Sequence, residues 1–229
     1  MINLSQIAGG TLQTRPYSWA IVDNLFSPID ATALAGSFPR DHFKTVAGYG
    51  GEKDYEYEAR ALIHLDAKTV SCPQDLSSSW LSLAHDFLSA GYRNAVSFLT
   101  KCDLTTAPME VNVFHYGPGG CLGPHVDLPD KLVTHVLYFN ESWDREDGGC
   151  LKILQSVEPS DIAVELAPLI GNSCVLVRSE NSWHAVERVV EGCNRSRRSL
   201  TATFYQPGSV STMWPPSDTT PLHPYEVGY

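Results

Sequence analysis

The sequence predicts a mainly β fold with helices on its N-terminal side and a double-sheet jelly roll as its core. Three observations carry this. From residue 109 onward, short runs rich in β-branched and aromatic residues are separated by Gly, Pro, Asp and Asn. They fall at 109–116, 121–126, 132–140, 149–155, 162–167, 173–178, 183–190 and 197–206, the number a jelly roll needs. No helix-length segment interrupts them. Before residue 109, apolar residues recur instead at helical spacing.

Taken in order, 17–23 (Y-S-W-A-I-V-D) reads as a short strand. Ser27-Pro28 looks like a helix start, with proline in the first turn. That helix is expected to run to Gly36 and stop near Phe38-Pro39. Residues 42–57 are polar, glycine-bearing and aromatic without either period, so they are expected to form a loop, read as a lid over a pocket. Residues 60–65 are strand-like. Pro73 opens a helical stretch in which Trp80, Leu83, Ala84, Phe87 and Leu88 make one apolar face against the sheet. Gly91 interrupts it before it continues to Thr100. The tail is Pro-rich, and Trp214 within it is expected to dock back on the body. One domain spans 1–229: helices and lid in 1–108, the β core in 109–206, the tail in 207–229.

Composition bounds the function. The chain has 229 residues, 43% hydrophobic and 18% charged, ordinary for a folded domain. Lys plus Arg is 16 against 26 for Asp plus Glu, giving a formal charge of −10 with no basic run. Such a chain repels phosphate backbones, so nucleic acid is an unexpected partner. No run is long and apolar enough for a membrane span. The start lacks the pattern of a secretory signal, and the six cysteines form no C-x-x-C pair. A reducing, cytoplasmic home is therefore expected, and a monomer or homodimer.

The chemistry concentrates in M-E-V-N-V-F-H-Y-G-P-G-G-C-L-G-P-H-V-D, residues 109–127. His125 and Asp127 stand two apart, which on a strand points both to one face. An imidazole and a carboxylate are two members of a facial iron triad; the third is another His. His184, in N-S-W-H-A-V at the start of the seventh run, comes in the required order. The second and seventh strands of a jelly roll are neighbours. On the eighth run Arg197, Ser199, Thr201 and Thr203 share one face, and Arg198, Leu200 and Ala202 the other. An inward guanidinium is a bidentate clamp for a carboxylate. Of Arg195, Arg197 and Arg198, not all can face in.

These motifs, Y-G-P-G-G-x-L-G-P-H-V-D, T-H-V-L-Y-F-N-E-S-W, D-G-G-C-L-K-I, S-W-H-A-V and R-R-S-L-T, make residues 109–206 resemble the Fe(II)/2-oxoglutarate-dependent oxygenases, in the prolyl-hydroxylase-like branch. The resemblance implies a double-stranded β-helix (jelly roll, cupin-like) core and three cofactors or cosubstrates: Fe(II), 2-oxoglutarate and O2. It implies that His125, Asp127 and His184 bind the metal. It implies that Arg197 pairs with the distal carboxylate of 2-oxoglutarate, with Tyr138, Thr201 and Tyr116 assisting; Arg195 or Arg198 is the substitute. A carboxylate at 127, where radical halogenases have a small residue, implies hydroxylation or a related oxidation and not chlorination.

The lid texture is similar to that of stand-alone amino-acid hydroxylases. The expected substrate is therefore a free amino acid, cationic as lysine is, held by Glu110, Asn112, Arg60 and Trp214. Leu128 stands where such enzymes can carry an acid after the metal-binding triplet. Alternatives are a peptidyl or carrier-bound substrate, a non-catalytic jelly-roll binding protein, and a zinc hydrolase built on the same triad.

Overall fold

The computed structural model describes residues 1–225; the end of the predicted tail, 226–229, lies outside the described residues. The N-terminal part supplies α1 (Leu4–Ala8), β1 (Trp19–Val22), α2 (Pro28–Gly36), β2 (Lys44–Gly48), β3 (Tyr55–Ile63), α3 (Ser78–Leu88) and α4 (Ala90–Thr100). The core follows as β4 (Met109–Tyr116), β5 (Cys121–His125), β6 (Lys131–Tyr138), β7 (Leu151–Leu154), β8 (Ile162–Leu166), β9 (Ser173–Val177), β10 (His184–Val186) and β11 (Arg197–Tyr205). Each of the eight β runs read from the sequence overlaps one of these last strands.

The helices begin where side-chain caps allow. Ser27 accepts a hydrogen bond from the Asp30 amide at 3.2 Å, and Pro28 occupies the first turn of α2. Ser77 and Ser89 cap α3 and α4 in the same way. The sequence suggested a break at Gly91; it falls at Ser89, whose extended backbone ends α3 and whose hydroxyl starts α4. One serine serves both helices because its side chain satisfies an amide that the turn would leave bare.

The strands run in the order β1-β9-β6-β11-β4-β3-β5-β10-β7-β8, with β2 on β3. All pairings are antiparallel. β3 pairs with both β4 and β5, so the sheet curls over and brings β5-β10-β7-β8 opposite the larger half. Period-2 alternation then divides the side chains. Val111, Val113, Leu200 and Ala202 join Trp80, Phe87 and Phe139 in a core under the helices. Phe114, Tyr116, Val136, Tyr138, Leu151 and Ile153 fill the space between the two halves of the sheet.

Residues 42–57 depart from the expected loop. Residues 44–48 and 55–63 pair as a hairpin, and only its tip is irregular. Thr45, Glu56 and Glu58 hide the alternation: by register they share one face of the hairpin, on an edge where no core demands apolar partners. Among the described residues no helix is long and apolar enough to cross a membrane.

Candidate metal centre and the guanidinium behind it

β5 and β10 are short strands whose ends meet. In their antiparallel register His184 lies opposite His125, with ring centroids 4.2 Å apart. Asp127 follows β5 and is buried. The ligand atoms of His125, Asp127 and His184 all lie within 4.8 Å of one another. Each imidazole is turned by its own backbone. Nδ1 of His125 donates to the Gly123 carbonyl at 2.9 Å, and Nδ1 of His184 to the Ser182 carbonyl at 2.9 Å. That bond sets the tautomer and leaves the Nε2 lone pair as the available donor. Burial, reinforced by the neighbouring cations, holds both imidazoles below their ordinary range, so they are neutral near pH 7. Burial alone would raise the Asp127 carboxyl. The Lys131 ammonium, 2.6 Å from Oδ1, and the two imidazoles together outweigh it and hold the group well below the usual carboxylate range. Thr134 donates to Oδ2 at 2.9 Å. Two neutral imidazoles and a carboxylate on one side, open on the other, fit a divalent iron.

Arg197 lies deeper, 1% exposed. Its Nε donates to the Gly149 carbonyl at 2.7 Å and Nη1 to Ser199 Oγ at 2.8 Å, while Nη2 has no hydrogen-bond partner. The guanidinium rests 4.8 Å from the Tyr116 ring and 5.3 Å from the Tyr138 ring. The buried Tyr138 hydroxyl also lacks a partner. Among the described residues no carboxylate reaches Arg197. A buried, half-satisfied guanidinium beside a free hydroxyl is costly unless an anion enters. This is the fit expected for the distal carboxylate of 2-oxoglutarate. Gly148 and Gly149 make the cradle: both have positive φ, +71° and +70°, and a Cβ on Gly149 would stand 3.4 Å from Cδ of Arg197.

The other two arginines point elsewhere. Arg198 donates to the Ala35 carbonyl at 3.1 Å, against the end of α2, and Arg195 pairs with Asp147 at 2.6 Å. Thr201 shares the face of Arg197 and pairs with Asn112 and Val136.

The four residues expected to hold an amino acid do not line the cleft beside the triad. Arg60 pairs with Val113, so it lies on the helix side of the sheet, 3.3 Å from Asp41. The strand's period of two reverses the sequence expectation. Glu110 is 1% exposed and accepts from Ser211 and Asn112. The Trp214 indole donates to Asn112 at 2.7 Å. These three lock one another and tie the tail down, so Trp214 docks on the body as expected. The side chains that do face the cleft include Lys53, Tyr55 and Tyr57 of the hairpin, with Leu128, Lys131, Trp183 and Met213. The sequence placed 42–57 over a pocket and noted Leu128 beside the triplet, but named none of Lys53, Tyr55, Tyr57, Lys131, Trp183 or Met213 as a substrate contact. Thr134 was legible, since it alternates with Val136 and Tyr138; Lys53 carries no signal until the hairpin is known. A second group, His42, Cys72 and Asp75, also brings ligand atoms together, on the helix side. There His42 and Gln74 already hydrogen-bond to Asp75.

Residues 111–205 match the model of the 2OG-Fe(II) oxygenase superfamily, whose members use Fe(II), 2-oxoglutarate and O2. The matched segment holds all three triad residues and Arg197. Solved structures agree on the fold. A Pseudomonas putida prolyl-4-hydroxylase is 19% identical with a TM-score of 0.58, covering 89% of this chain and 99% of that one. A Trichoplax adhaerens prolyl hydroxylase, solved with a hypoxia-inducible-factor peptide fragment, is 14% identical with a TM-score of 0.58, covering 89% of each chain. The α-ketoglutarate-dependent epimerase SnoN of nogalamycin biosynthesis is 14% identical with a TM-score of 0.52, covering 96% and 93%. No curated protein matches the chain by sequence.

Proposed function

We propose that this protein is an Fe(II)/2-oxoglutarate-dependent dioxygenase that hydroxylates an unactivated C–H bond of a small organic molecule. The observation that carries the reading is a pair of complementary, unsatisfied polar clusters. His125 and His184 aim neutral nitrogens at one point beside Asp127, and Arg197 with Tyr138 offers unpaired donors behind them.

In this reading His125, Asp127 and His184 hold the metal from one side. Lys131 and Thr134 fix the Asp127 carboxylate, so its orientation is set before metal arrives. Arg197, Tyr138 and Thr201 hold 2-oxoglutarate by its distal carboxylate, and Tyr116 walls its pocket. When bound, iron, 2-oxoglutarate and dioxygen supply the oxidising power that cleaves the C–H bond, with succinate and carbon dioxide as coproducts. The chain's own work is to place one substrate carbon and exclude water. Tyr57 helps keep water out, because it packs 5.3 Å from the Tyr116 ring and 5.5 Å from the Phe114 ring while facing the cleft.

A lysine-like substrate loses its support. Glu110, the acid expected to meet its amine, is turned to Ser211 and Asn112. Apart from Asp127, the carboxylate lining the cleft is the exposed Glu52. The test is succinate release from 2-oxoglutarate with iron present. Asp127→Ala abolishes it; retained turnover contradicts the reading.

A further inference from the structure

The cleft that opens on the triad encloses about 780 Å³. It reaches His125 and Asp127 but not Arg197, Tyr138 or Tyr116, so this volume belongs to the substrate and not to 2-oxoglutarate. Clefts of ~300–1,000 Å³ take drug-sized ligands; a free amino acid would leave most of this one empty. The walls are apolar or aromatic: Tyr55, Tyr57, Trp183, Met213, Val46 and Leu122. The rim is apolar too, with Leu128 44% and Val157 50% exposed.

Charge in the cleft is placed unevenly. Lys44 is spent on Asp218 and the Trp214 ring, and Lys131 on Asp127. Lys53, on the hairpin tip, has no carboxylate within 4.0 Å among the described residues, although it is half-buried and lies in the field of Lys131 and Asp127. The carboxylates facing it are the exposed Glu52 and the metal-directed Asp127. An ammonium held over apolar walls with no carboxylate in contact is a receptor for an anionic group on the ligand.

Resting on the dioxygenase reading above, we propose that the substrate is an organic anion with an apolar, ring-sized body, and that Lys53 is the residue that selects it. The anionic group sits under the hairpin tip against Lys53. The body lies between Tyr55, Tyr57 and Trp183, and one of its carbons faces the triad. A cationic substrate is repelled by the same lysine.

The experiment uses a matched pair of fluorescent probes on the full-length protein loaded with Mn(II) and 2-oxoglutarate without oxygen. 8-Anilinonaphthalene-1-sulfonate and N-phenyl-1-naphthylamine share one body and differ by the sulfonate. The sulfonated probe is expected to bind at one site, with Lys53→Gln weakening it about ten-fold and leaving the neutral probe unchanged. L-Lysine at millimolar concentration is expected not to displace it. Equal loss for both probes, an unchanged sulfonate affinity in Lys53→Gln, no binding of either probe, or displacement by L-lysine overturns the proposal. Uncoupled succinate release by the wild-type protein is measured in parallel. Its absence sinks the dioxygenase reading, whereas its presence with a failed probe comparison sinks only the substrate class.

Discussion

His184 stands directly across from His125 in the pairing of two strands, though 59 positions separate them in the chain. Each Nδ1 is held by the carbonyl two residues before it. The triad is therefore built by backbone register, with the third member, Asp127, delivered by the residues that leave β5.

Because His184 contributes the ligand from the opposite strand, His184→Ala is expected to lower metal affinity by at least about ten-fold. Anaerobic titration with Co(II), followed by its visible absorption, measures this directly. Tight binding by the variant would mean that the pairing of imidazoles has another purpose.

Arg197 presents one unpaired terminal nitrogen in a fixed plane. Lysine keeps the charge but loses the fork, so Arg197→Lys should raise the KM for 2-oxoglutarate at least about ten-fold. Arg195→Lys, at a guanidinium that bonds Asp147 and Ser142 and lies over the Trp143 ring, should leave it within about two-fold. A reversed order would move the clamp to the neighbouring arginine.

Asn140 ties two strands where the clamp begins. Its amide donates to the Ser196 carbonyl at 2.8 Å, and its Oδ1 accepts from the Arg198 amide at 2.8 Å, one residue either side of Arg197. Asn140→Ala leaves two buried backbone groups unpaired and should cost about 2–4 kcal/mol of stability. If the bonds also aim Arg197, the KM for 2-oxoglutarate rises while succinate formed per turnover is unchanged. Chemical denaturation and steady-state kinetics read the two effects separately.

Two buried histidines away from the triad make the fold sensitive to acid. Burial pushes His135 and His115 down to about 3, from an ordinary value near 6.5. Between those values the unfolded chain binds the proton and the folded chain does not. Stability is thus complete above about pH 6.5 and falls as the pH drops, by roughly 1 kcal/mol per histidine per pH unit. His135 bridges Tyr92 and Ser173. His135→Gln should lower stability at pH 7.5 but reduce its slope between pH 7.5 and 5.0. An unchanged slope, measured as urea midpoints in metal-free protein, would refute the assignment.

Much of the molecule is legible in its residues alone. The β runs announce themselves because each strand has one face in a core and turn residues at its ends. Pro28 and Ser27 place α2 to the residue, because capping is a local matter. The order His125, Asp127, His184, Arg197 points to the chemistry, since a triad and a carboxylate clamp need those residue types. The hairpin of β2 and β3 is hidden, although the second half of β3 shows as a strand at 60–65. Its outer face is polar, and local sequence does not say which loop will find a partner strand.

What the sequence determined by itself is the inventory: strand period, caps, and the side chains able to hold a metal and an anion. What only the tertiary structure decided is which of them meet. Arg197 turns inward while Arg198 reaches α2, and Arg60 faces the helices instead of the substrate. A shift of one residue in register exchanges the two faces of a strand. That register is settled by how both halves of the sheet close over their shared core, a long-range matter that composition and spacing along the chain do not encode.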